Sequence, residues 1–434
     1  MADAPASMPV APKEPPRILV RAGMTALETP SVERILSENL IGLNTGNLVY
    51  QYSITRALME SPRQVFQADR YALSAKDAGW VQEHFDAYVI PLADTFRTDS
   101  IPELERLTGL VKALSMPCVV IGAGASIRKG MQVEEPHAFD DATRAFMDAV
   151  LEKSALVGIR GDVTARYLTY LGYTEGTHFQ VIGCPSFYGC GAQLPRKPLD
   201  LRPESPISVN SNVYQPKGAI DFANKLLQRY PNAVYLPQRI KELQLLYLGT
   251  PYKDRPSAKN SYPRTLAAEP YAQDRVRMFT HAKPWIDFLS QCALSVGGRM
   301  HGNVAAVLAG TPVLFLPHDN RMRELVAFHQ LPAVDAASVG EGTQLEDLLA
   351  QVDFNAMFAC QGEHYRAYCA FLEKNGLRCA LGEGEQGAPA PLDSMLGGMS
   401  LPGAVGSVVR AGAMEKAARW AKTAAARARY LATR

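Results

Sequence analysis

The sequence predicts an α/β protein built from two domains with a cleft between them. Its 434 residues exceed the length of a single typical hydrophobic core, so two domains are expected. Short apolar runs alternate with helical patterns along most of the chain, which is typical of a parallel sheet with helices on both faces. Several glycines and prolines interrupt this alternation shortly before residue 206, and residues 191–205 are therefore predicted to be a linker.

Residues 18–190 are predicted to form the N-terminal domain. Apolar runs there predict strands, and amphipathic runs between them predict helices. The predicted strands cover residues 17–21, 118–121, 155–159 and 179–182, and the predicted helices cover residues 48–59, 140–153 and 162–171. Residues 1–17 are rich in alanine and proline and predict a disordered tail.

Residues 206–335 are predicted to form the C-terminal domain, which repeats the same alternation. Its predicted strands cover residues 207–209, 233–236 and 293–296, and its predicted helices cover residues 218–229, 241–247 and 284–291. A long helix at 354–374 falls within residues 336–381, a helical segment that we expect to pack back on the body. Residues 382–409 are rich in glycine, proline, alanine and serine and predict a flexible linker.

One run of the C-terminal domain, residues 293–315, indicates an anion-binding corner. Two glycines follow the predicted strand, and Arg299 and His301 stand where a short helix begins. Helix N-termini carry unpaired N–H groups and about half a positive charge, which a neighbouring arginine and histidine reinforce. Small residues such as Gly302 and Ala305 let the helix lie close to the sheet. A phosphate or carboxylate is therefore the expected ligand.

The same run resembles the polysaccharide pyruvyl transferase family. The resemblance rests on Arg-Met-His-Gly at 299–302, on the alanine-rich helix after it, and on Gly-Thr-Pro at 310–312 before the next apolar strand. Upstream, Asn-Thr-Gly-Asn at 44–47 and Arg-Gly-Asp at 160–162 resemble further blocks of that family. Three residues depart from its usual pattern, which has Asp, Asp and Lys where this chain has Asn47, Cys184 and Arg321.

The resemblance implies two Rossmann-like domains in a GT-B-like arrangement and an enzyme that transfers a pyruvyl group. Phosphoenolpyruvate would be the donor substrate, and no cofactor or metal is implied. The acceptor would be a saccharide, free or lipid-linked, and the product a cyclic pyruvate ketal in an exopolysaccharide or cell-surface glycan. The N-terminal domain would face the acceptor and the C-terminal domain the donor.

The candidate site residues follow from these motifs. His301 is the predicted catalytic residue, because an imidazole that titrates near neutrality can protonate the enol methylene or the departing phosphate; His318 and His281 are alternative acids. The predicted donor-binding residues are Arg299, Gly302, Asn303, Arg321 and Arg160. The predicted acceptor or loop contacts are Asn44, Gly46, Asn47, Gly122 and Gly124.

Plainer interpretations of these residues stay open. Arg299 would also serve as the structural partner of a carboxylate, and His301 as a cap of its own helix. Two other functions also stay open. One is a nucleotide-sugar glycosyltransferase, which needs a ribose-binding carboxylate and has Glu324 as the only nearby candidate. The other is a non-catalytic glycan-binding or scaffold protein on an inherited fold.

Composition excludes several classes of protein. A net charge of +2 argues against a dedicated nucleic-acid binder. The first 17 residues lack the apolar stretch of a signal peptide, and no run of about 18 apolar residues predicts a transmembrane helix. The seven cysteines are scattered without metal-ligand spacing, so a zinc site is not expected and a reducing cytoplasm is the predicted compartment.

The last segment, residues 410–434, differs from the rest of the chain. It holds seven basic residues and one acid, Glu415, so it carries six net positive charges. Its alanine content favours a helix with a thin apolar stripe. Such a helix is either solvated or in peripheral contact with an anionic membrane, at the inner face of the membrane if the protein is cytoplasmic.

Overall fold

The structure, a computed structural model, describes residues 14–127, 132–253, 260–340, 342–381 and 390–433. Within these ranges no helix combines the length and the apolar character that crossing a bilayer requires. The strands are β1 (Ile18–Val20), β2 (Phe66–Ala68), β3 (Ala87–Pro91), β4 (Asp94–Phe96), β5 (Cys118–Ile121), β6 (Gly124–Ala125), β7 (Val157–Ile159), β8 (Phe179–Val181), β9 (Ile207–Asn210), β10 (Val234–Tyr235), β11 (Leu294–Gly297) and β12 (Val313–Phe315).

Helices cover both sheets and extend to the C-terminal end. They are α1 (Val32–Glu38), α2 (Gly46–Leu58), α3 (Ala78–His84), α4 (Ile101–Ala113), α5 (Asp140–Leu151), α6 (Asp162–Tyr170), α7 (Lys217–Arg229), α8 (Ile240–Leu248), α9 (Glu269–Ala272), α10 (Ala282–Leu289), α11 (Met300–Leu308), α12 (Asn320–Phe328), α13 (Leu345–Leu349), α14 (Ala356–Lys374), α15 (Pro391–Gly397) and α16 (Ala413–Ala432). Short 3₁₀ turns occupy Ala75–Asp77, Thr98–Ser100, Pro185–Cys190 and Ala336–Ser338.

The N-terminal domain contains a parallel sheet in the order β2-β1-β3-β5. A bridge between Ala123 and Ile159 continues it to β7, which pairs with β8. The strands β3 and β5 are buried along their whole length, as expected for a parallel sheet covered on both faces.

The C-terminal domain contains a second parallel sheet, in the order β10-β9-β11-β12. Both domains therefore alternate strands with helices, and the prediction of two Rossmann-like domains is confirmed. The long helix α14 returns to the N-terminal domain, where the Leu156 amide donates to Asn375 Oδ1 (3.1 Å) just after the helix ends.

The prediction of a flexible linker at residues 382–409 is wrong for its described part, residues 390–409. Leu392 and Leu396 of α15 are buried against the core. Arg56 of α2 forms an ion pair with Asp393 (2.6 Å), and the Val408 amide donates to the Leu246 carbonyl. Most residues of this segment have small side chains. Its leucines and most of its valines are nevertheless placed so that their side chains pack on the core. The remaining residues of that prediction, 382–389, lie outside the described part of the chain.

Two other terminal predictions need correction. The predicted tail at 1–17 is described only from residue 14, and there Arg17 forms an ion pair with Asp86 (2.9 Å). The basic helix α16 is not simply solvated, because one of its faces packs on α1 and α8. Arg419 is buried and donates to the Tyr247 and Gly406 carbonyls, and the Trp420 indole donates to the Leu248 carbonyl (3.1 Å).

We expect Leu392→Ala to lower the free energy of unfolding by about 2–4 kcal/mol, because it removes a fully buried side chain from the core. Chemical denaturation measures the change. Met414→Ala is the matched control, since Met414 is 89% exposed and should change stability by less than about 0.5 kcal/mol. Equal, small effects of the two substitutions would restore the flexible-linker interpretation.

Candidate functional site

A cleft between the two domains gathers the turns that follow the parallel strands. Because parallel strands end at the same edge of a sheet, the residues after them lie side by side. A small cavity of about 170 Å³, the inner chamber, has lining residues from turns after β3, β7, β9, β10, β11 and β12. In chain order, the lining residues are Asn44, Asn47, Ala93, Asp94, Arg160, Asn212, Gln238, Gly298, Arg299, Met300, His301, His318, Asp319, Arg321, Met322 and Leu325.

The turn before α11 is shaped by two glycines. Gly297 has φ +151°, and a Cβ atom there would lie 1.8 Å from the Asn210 carbonyl oxygen. A Cβ atom on Gly298 would lie 2.2 Å from the side-chain amide nitrogen of Gln215. Only glycine lets β11 and β9 end this close together. The Arg299 amide then donates to Asn210 Oδ1 (2.7 Å), which fixes where α11 begins.

Arg299 lines the inner chamber, but a carboxylate already holds its guanidinium. Nη2 lies 3.3 Å from Glu242 Oε2, and Nε donates to the Ser211 carbonyl (2.8 Å). Burial opposes the charge, but the facing Glu242 carboxylate together with Tyr262 and Tyr235 outweighs burial and raises the pKa of Arg299 above its ordinary value. The structural carboxylate pair that the sequence left open is therefore present. Arg299 forms a rigid, largely neutralised wall of the chamber.

We expect Arg299→Ala to destabilise the fold by about 3–5 kcal/mol, because it leaves the fully buried Glu242 carboxylate without its cation. Denaturant unfolding of the single and the double variant tests this. Arg299→Ala combined with Glu242→Gln should recover a substantial part of the loss. A double variant as unstable as Arg299→Ala alone would contradict the pairing.

Arg160 has a guanidinium group that is only partly hydrogen-bonded within the described residues. It follows β7, is 94% buried, and donates from Nε to the Gly122 carbonyl (2.8 Å). Its Nη2 is buried and has no hydrogen-bond partner among the described residues, and the same is true of the side-chain nitrogen of Gln238. Buried donors without partners are costly, so two of them beside one cavity indicate a place for an acceptor-rich anion.

His301 lies in the first turn of α11, between the two domains. Its ring faces Tyr50 edge-on at 5.8 Å, and its Nε2 lies 3.6 Å from the Cys184 sulfur. Burial, aided by the nearby Arg160 charge, lowers the pKa of His301 to about 3. The imidazole is therefore neutral at pH 7 in the unliganded protein. An anion in the chamber would raise that pKa, because it stabilises the imidazolium form.

We expect the imidazole signal of His301 to stay constant between pH 8 and pH 5 in NMR spectra of the unliganded protein. Its pKa of about 3 lies below the ordinary value of 6.5. As the pH falls, the unfolded chain therefore takes up a proton at His301 before the folded protein does. The contribution of His301 to stability declines as the pH falls from 6.5 towards 3. Spectra of His301→Gln assign the signal. A midpoint near pH 6.5 would show that the ring is solvated.

Arg321 joins the two domains across the cleft. It forms ion pairs with Asp94 of the N-terminal domain and with Asp319, the N-cap of α12. Asp94 also pairs with Arg97 (3.1 Å), while its Oδ1 is buried and has no hydrogen-bond partner in the described chain. Asp94 thus offers an acceptor at the boundary of the inner chamber.

The N-terminal loop at 44–47 also reaches the other domain. Asn44 forms an antiparallel bridge with Arg239, and both Asn44 and Asn47 line the inner chamber. Gly46 packs against His301, since a Cβ atom there would lie 2.9 Å from the His301 Cβ. The Asn47 amide group donates to the Ile41 and Gly42 carbonyls, two bonds that an ionised carboxylate cannot make.

Four of the predicted contact residues are not among the residues that line either side of the cleft and lie behind its walls. Asn303 is fully buried and bonds Asn210 and the Gly297 carbonyl. A Cβ atom on Gly302 would lie 2.4 Å from the Gln238 amide nitrogen, so this glycine makes room for Gln238. The remaining two, Gly122 and Gly124, leave room for Tyr50 and Arg160 in the same way.

A larger cavity of about 550 Å³, the outer chamber, adjoins the inner one on the side of the N-terminal domain. The two share Asn44, Asn47, Asp94, His301 and Arg321 among their lining residues. The outer lining holds three arginines and three carboxylates, so its formal charges balance. It also contains tyrosine rings and side-chain amides, contributed by Tyr50, Tyr71, Asn39 and Gln51.

A model of the polysaccharide pyruvyl transferase family matches residues 46–320. This is more than half of the chain and includes the described strands β2 to β12, that is, the whole C-terminal sheet and the N-terminal sheet without β1. The chain belongs to the polysaccharide pyruvyl transferase family. The match begins at the first residue of α2 and ends at the first residue of α12, so it includes Asp94, Arg160, Arg299 and His301.

Comparisons with other proteins add distant structural similarities. A search of curated proteins finds no match. A UDP-GlcNAc 2-epimerase from Neisseria meningitidis bound to UDP-GlcNAc is 12% identical, with 82% of this chain and 99% of the epimerase covered and a TM-score of 0.41. The glycosyltransferase SnogD from Streptomyces nogalater is 14% identical, with 88% and 97% covered and a TM-score of 0.32.

Asp94 and Gln238 are chamber residues that the sequence analysis missed. Gln238 comes after the short strand β10. Asp94 comes after the buried strand β3, which was not predicted although Ala-Tyr-Val-Ile-Pro at 87–91 is an apolar run. Of the alternative acids, His318 lines the inner chamber, whereas His281 caps α10 and bonds the Ala26 carbonyl. Glu324 bonds Thr164 (2.9 Å) across the domain interface, and burial raises its pKa to about 7.

Proposed function

We propose that this protein transfers a pyruvyl group from phosphoenolpyruvate to a saccharide and forms a cyclic pyruvate ketal. The observation that carries the proposal is Arg160. Its buried Nη2, without a partner in the described chain, lies with the unpartnered Gln238 amide at the wall of a small chamber. Membership of the polysaccharide pyruvyl transferase family supports a transferase.

The donor would occupy the inner chamber. Arg160 and Gln238 would donate to its phosphate or carboxylate oxygens, and Arg321 would add a second cation once an anion competes for it with Asp94 and Asp319. Arg299 would contribute less to binding, because Glu242 already holds it. Its function would be to keep the turn and the first residues of α11 in place.

The acceptor would occupy the outer chamber. A balanced lining favours an uncharged, hydroxyl-rich molecule over a second anion. The Tyr71 ring, with the Arg21 guanidinium 5.0 Å from its centroid, provides an apolar surface of the kind on which a sugar ring packs. Asn39 and Gln51 add side-chain amides that can donate and accept hydrogen bonds to hydroxyl groups.

The reaction needs a proton at the enol methylene and loses phosphate. A proton adds to the methylene carbon, and one sugar hydroxyl bonds to the central carbon and releases its own proton. The C–O bond to phosphate then breaks, and a second hydroxyl bonds to the same carbon, closes the ketal and gives its proton to the departed phosphate. His301 would supply the first proton, because a bound anion raises its pKa towards the range of a general acid. Asp94 lines both chambers, and its unpartnered Oδ1 would accept the proton of the attacking hydroxyl.

The two other candidate functions are less well supported. A nucleotide-sugar glycosyltransferase needs a carboxylate free for ribose, but Glu324 is bonded to Thr164 and packs against Gly161. A non-catalytic scaffold has no use for buried, unpartnered donors beside a cavity, since they cost stability without a ligand. No observation favours either function over pyruvyl transfer.

Ligand-induced thermal stabilisation tests the donor. Millimolar phosphoenolpyruvate should raise the melting temperature, because a ligand that binds only the native state stabilises it. Pyruvate and inorganic phosphate should each give smaller shifts. A shift with UDP and none with phosphoenolpyruvate would overturn the proposal in favour of a glycosyltransferase.

A further inference from the structure

We propose that the outer face of α16 is a docking surface for an anionic lipid bilayer. The proposal goes beyond pyruvyl transfer and does not depend on it. It rests on the side chains that α16 exposes after its inner face has packed on the body. The outer face is defined by Met414, Ala417, Ala421, Ala428 and Leu431.

The outer face is apolar along the whole length of the helix. Its residues recur at intervals of three, four or seven, so they lie on one side of the helix. Arg419, Thr423 and Tyr430 lie on the opposite side, and Ser37 of α1 donates to the Thr423 carbonyl (3.2 Å). Packing on the body therefore leaves the apolar side in solvent.

Large side chains mark both ends of this face. Met414 is 89% exposed and Leu431 is 62% exposed. Trp420, beside the face, is 51% exposed although its indole N–H bonds the Leu248 carbonyl. Exposing a row of large apolar side chains to water is unfavourable for a helix on a protein surface. A helix that lies in a membrane interface buries such a row among the lipids.

Basic residues border the outer face on both sides. Lys416 and Arg427 lie along one edge, and Lys422 and Arg429 lie along the other, and all four are exposed. The acid of α16, Glu415, is paired with Arg419 (2.6 Å) and does not offset them. Cations on both edges of an apolar row complement acidic headgroups around buried acyl chains, so the charge identifies an anionic bilayer as the occupant.

A basic groove continues from one edge of the outer face. It lies between α1 and α16 and has a volume of about 770 Å³. Four cations (Lys422, Arg429, Arg34 and Arg70) and two carboxylates (Glu33 and Glu38) line it, so its lining is basic by two formal charges. Leu40 and Ala72 also line this groove, while their chain neighbours Asn39 and Tyr71 line the outer chamber. Docking by α16 would therefore bring the outer chamber close to the bilayer.

Vesicle co-sedimentation of the full-length protein tests the proposal. We expect binding at low salt to phosphatidylcholine vesicles that contain about one-third phosphatidylglycerol, and little binding to pure phosphatidylcholine vesicles. Lys422→Glu with Arg429→Glu should weaken binding at least tenfold, because each exchange replaces an attraction with a repulsion. Met414→Ser with Leu431→Ser should weaken it severalfold at unchanged net charge. All four positions are exposed, so the variants should fold.

The matched control reverses two exposed cations elsewhere, Arg63→Glu with Lys374→Glu, and gives the same change in net charge. It should bind vesicles like the unmodified protein. Equal weakening by both charge reversals would overturn a specific docking face and indicate net charge alone. No vesicle binding, together with a dimer in sedimentation that Met414→Ser with Leu431→Ser dissociates, would assign the face to a second copy and overturn the proposal.

Discussion

Arg160→Met should lower kcat/KM for phosphoenolpyruvate by about 100- to 1,000-fold, the range typical of losing one preorganised donor to a developing charge. Methionine keeps much of the aliphatic packing beside Gly124. That packing is close, since a Cβ atom added to Gly124 would lie 2.9 Å from the Arg160 Cδ. The substitution removes the buried Nη2 that has no partner in the described chain. The shift of the melting temperature with phosphoenolpyruvate should disappear as well.

Arg166→Met is the matched control for this effect. Arg166 lies on α6, in the segment after Arg160, but it is exposed and pairs with Glu134 (2.6 Å). Its loss should leave kcat/KM within about twofold of the value for the unmodified protein, since exposed ion pairs contribute little to stability. An Arg160→Met protein with normal donor binding would show that Arg160 only supports the Gly122 turn.

His301→Gln should lower kcat by about 100-fold or more while the donor-induced melting shift persists, because a general acid acts in the transition state. Glutamine retains a polar group near Cys184 but cannot deliver a proton as imidazolium does. His84→Gln, an exposed substitution on α3, is the control. Near-normal turnover of His301→Gln would remove this residue from the mechanism and direct attention to His318, which also lines the inner chamber.

The local pattern around α11 could be predicted because it is short-range. The apolar run before Gly297, the helix from residue 300 and the position of Arg299 at its N-cap all follow from neighbours in sequence. The partner of Arg299 could not be predicted in the same way. Glu242 lies 57 residues away and meets the guanidinium only because the C-terminal sheet brings the chain after β10 and the chain after β11 to the same edge.

The same limit explains the errors in the site and at the C-terminal end. Gly122, in a turn after β5, and Asn303, in the first half of α11, have positions in the sequence that are typical of ligand contacts, but tertiary packing places them behind the chamber walls. Asp94 was missed because its importance comes from Arg321, more than 200 residues later. In residues 390–409, composition favours a linker, whereas a few leucines decide that the segment packs. Composition reports averages, and burial depends on individual side chains.

The most direct test of pyruvyl transfer is isotopic. The enzyme is incubated in D₂O with phosphoenolpyruvate labelled with ¹³C at its central carbon and with a panel of glycosides. Pyruvyl transfer should release one phosphate per product, give the ¹³C signal of a ketal carbon and place one deuterium in the new methyl group, because the methylene takes its proton from an exchangeable acid. Phosphate release without a ketal, or a sugar transferred from a nucleotide donor instead, would contradict it.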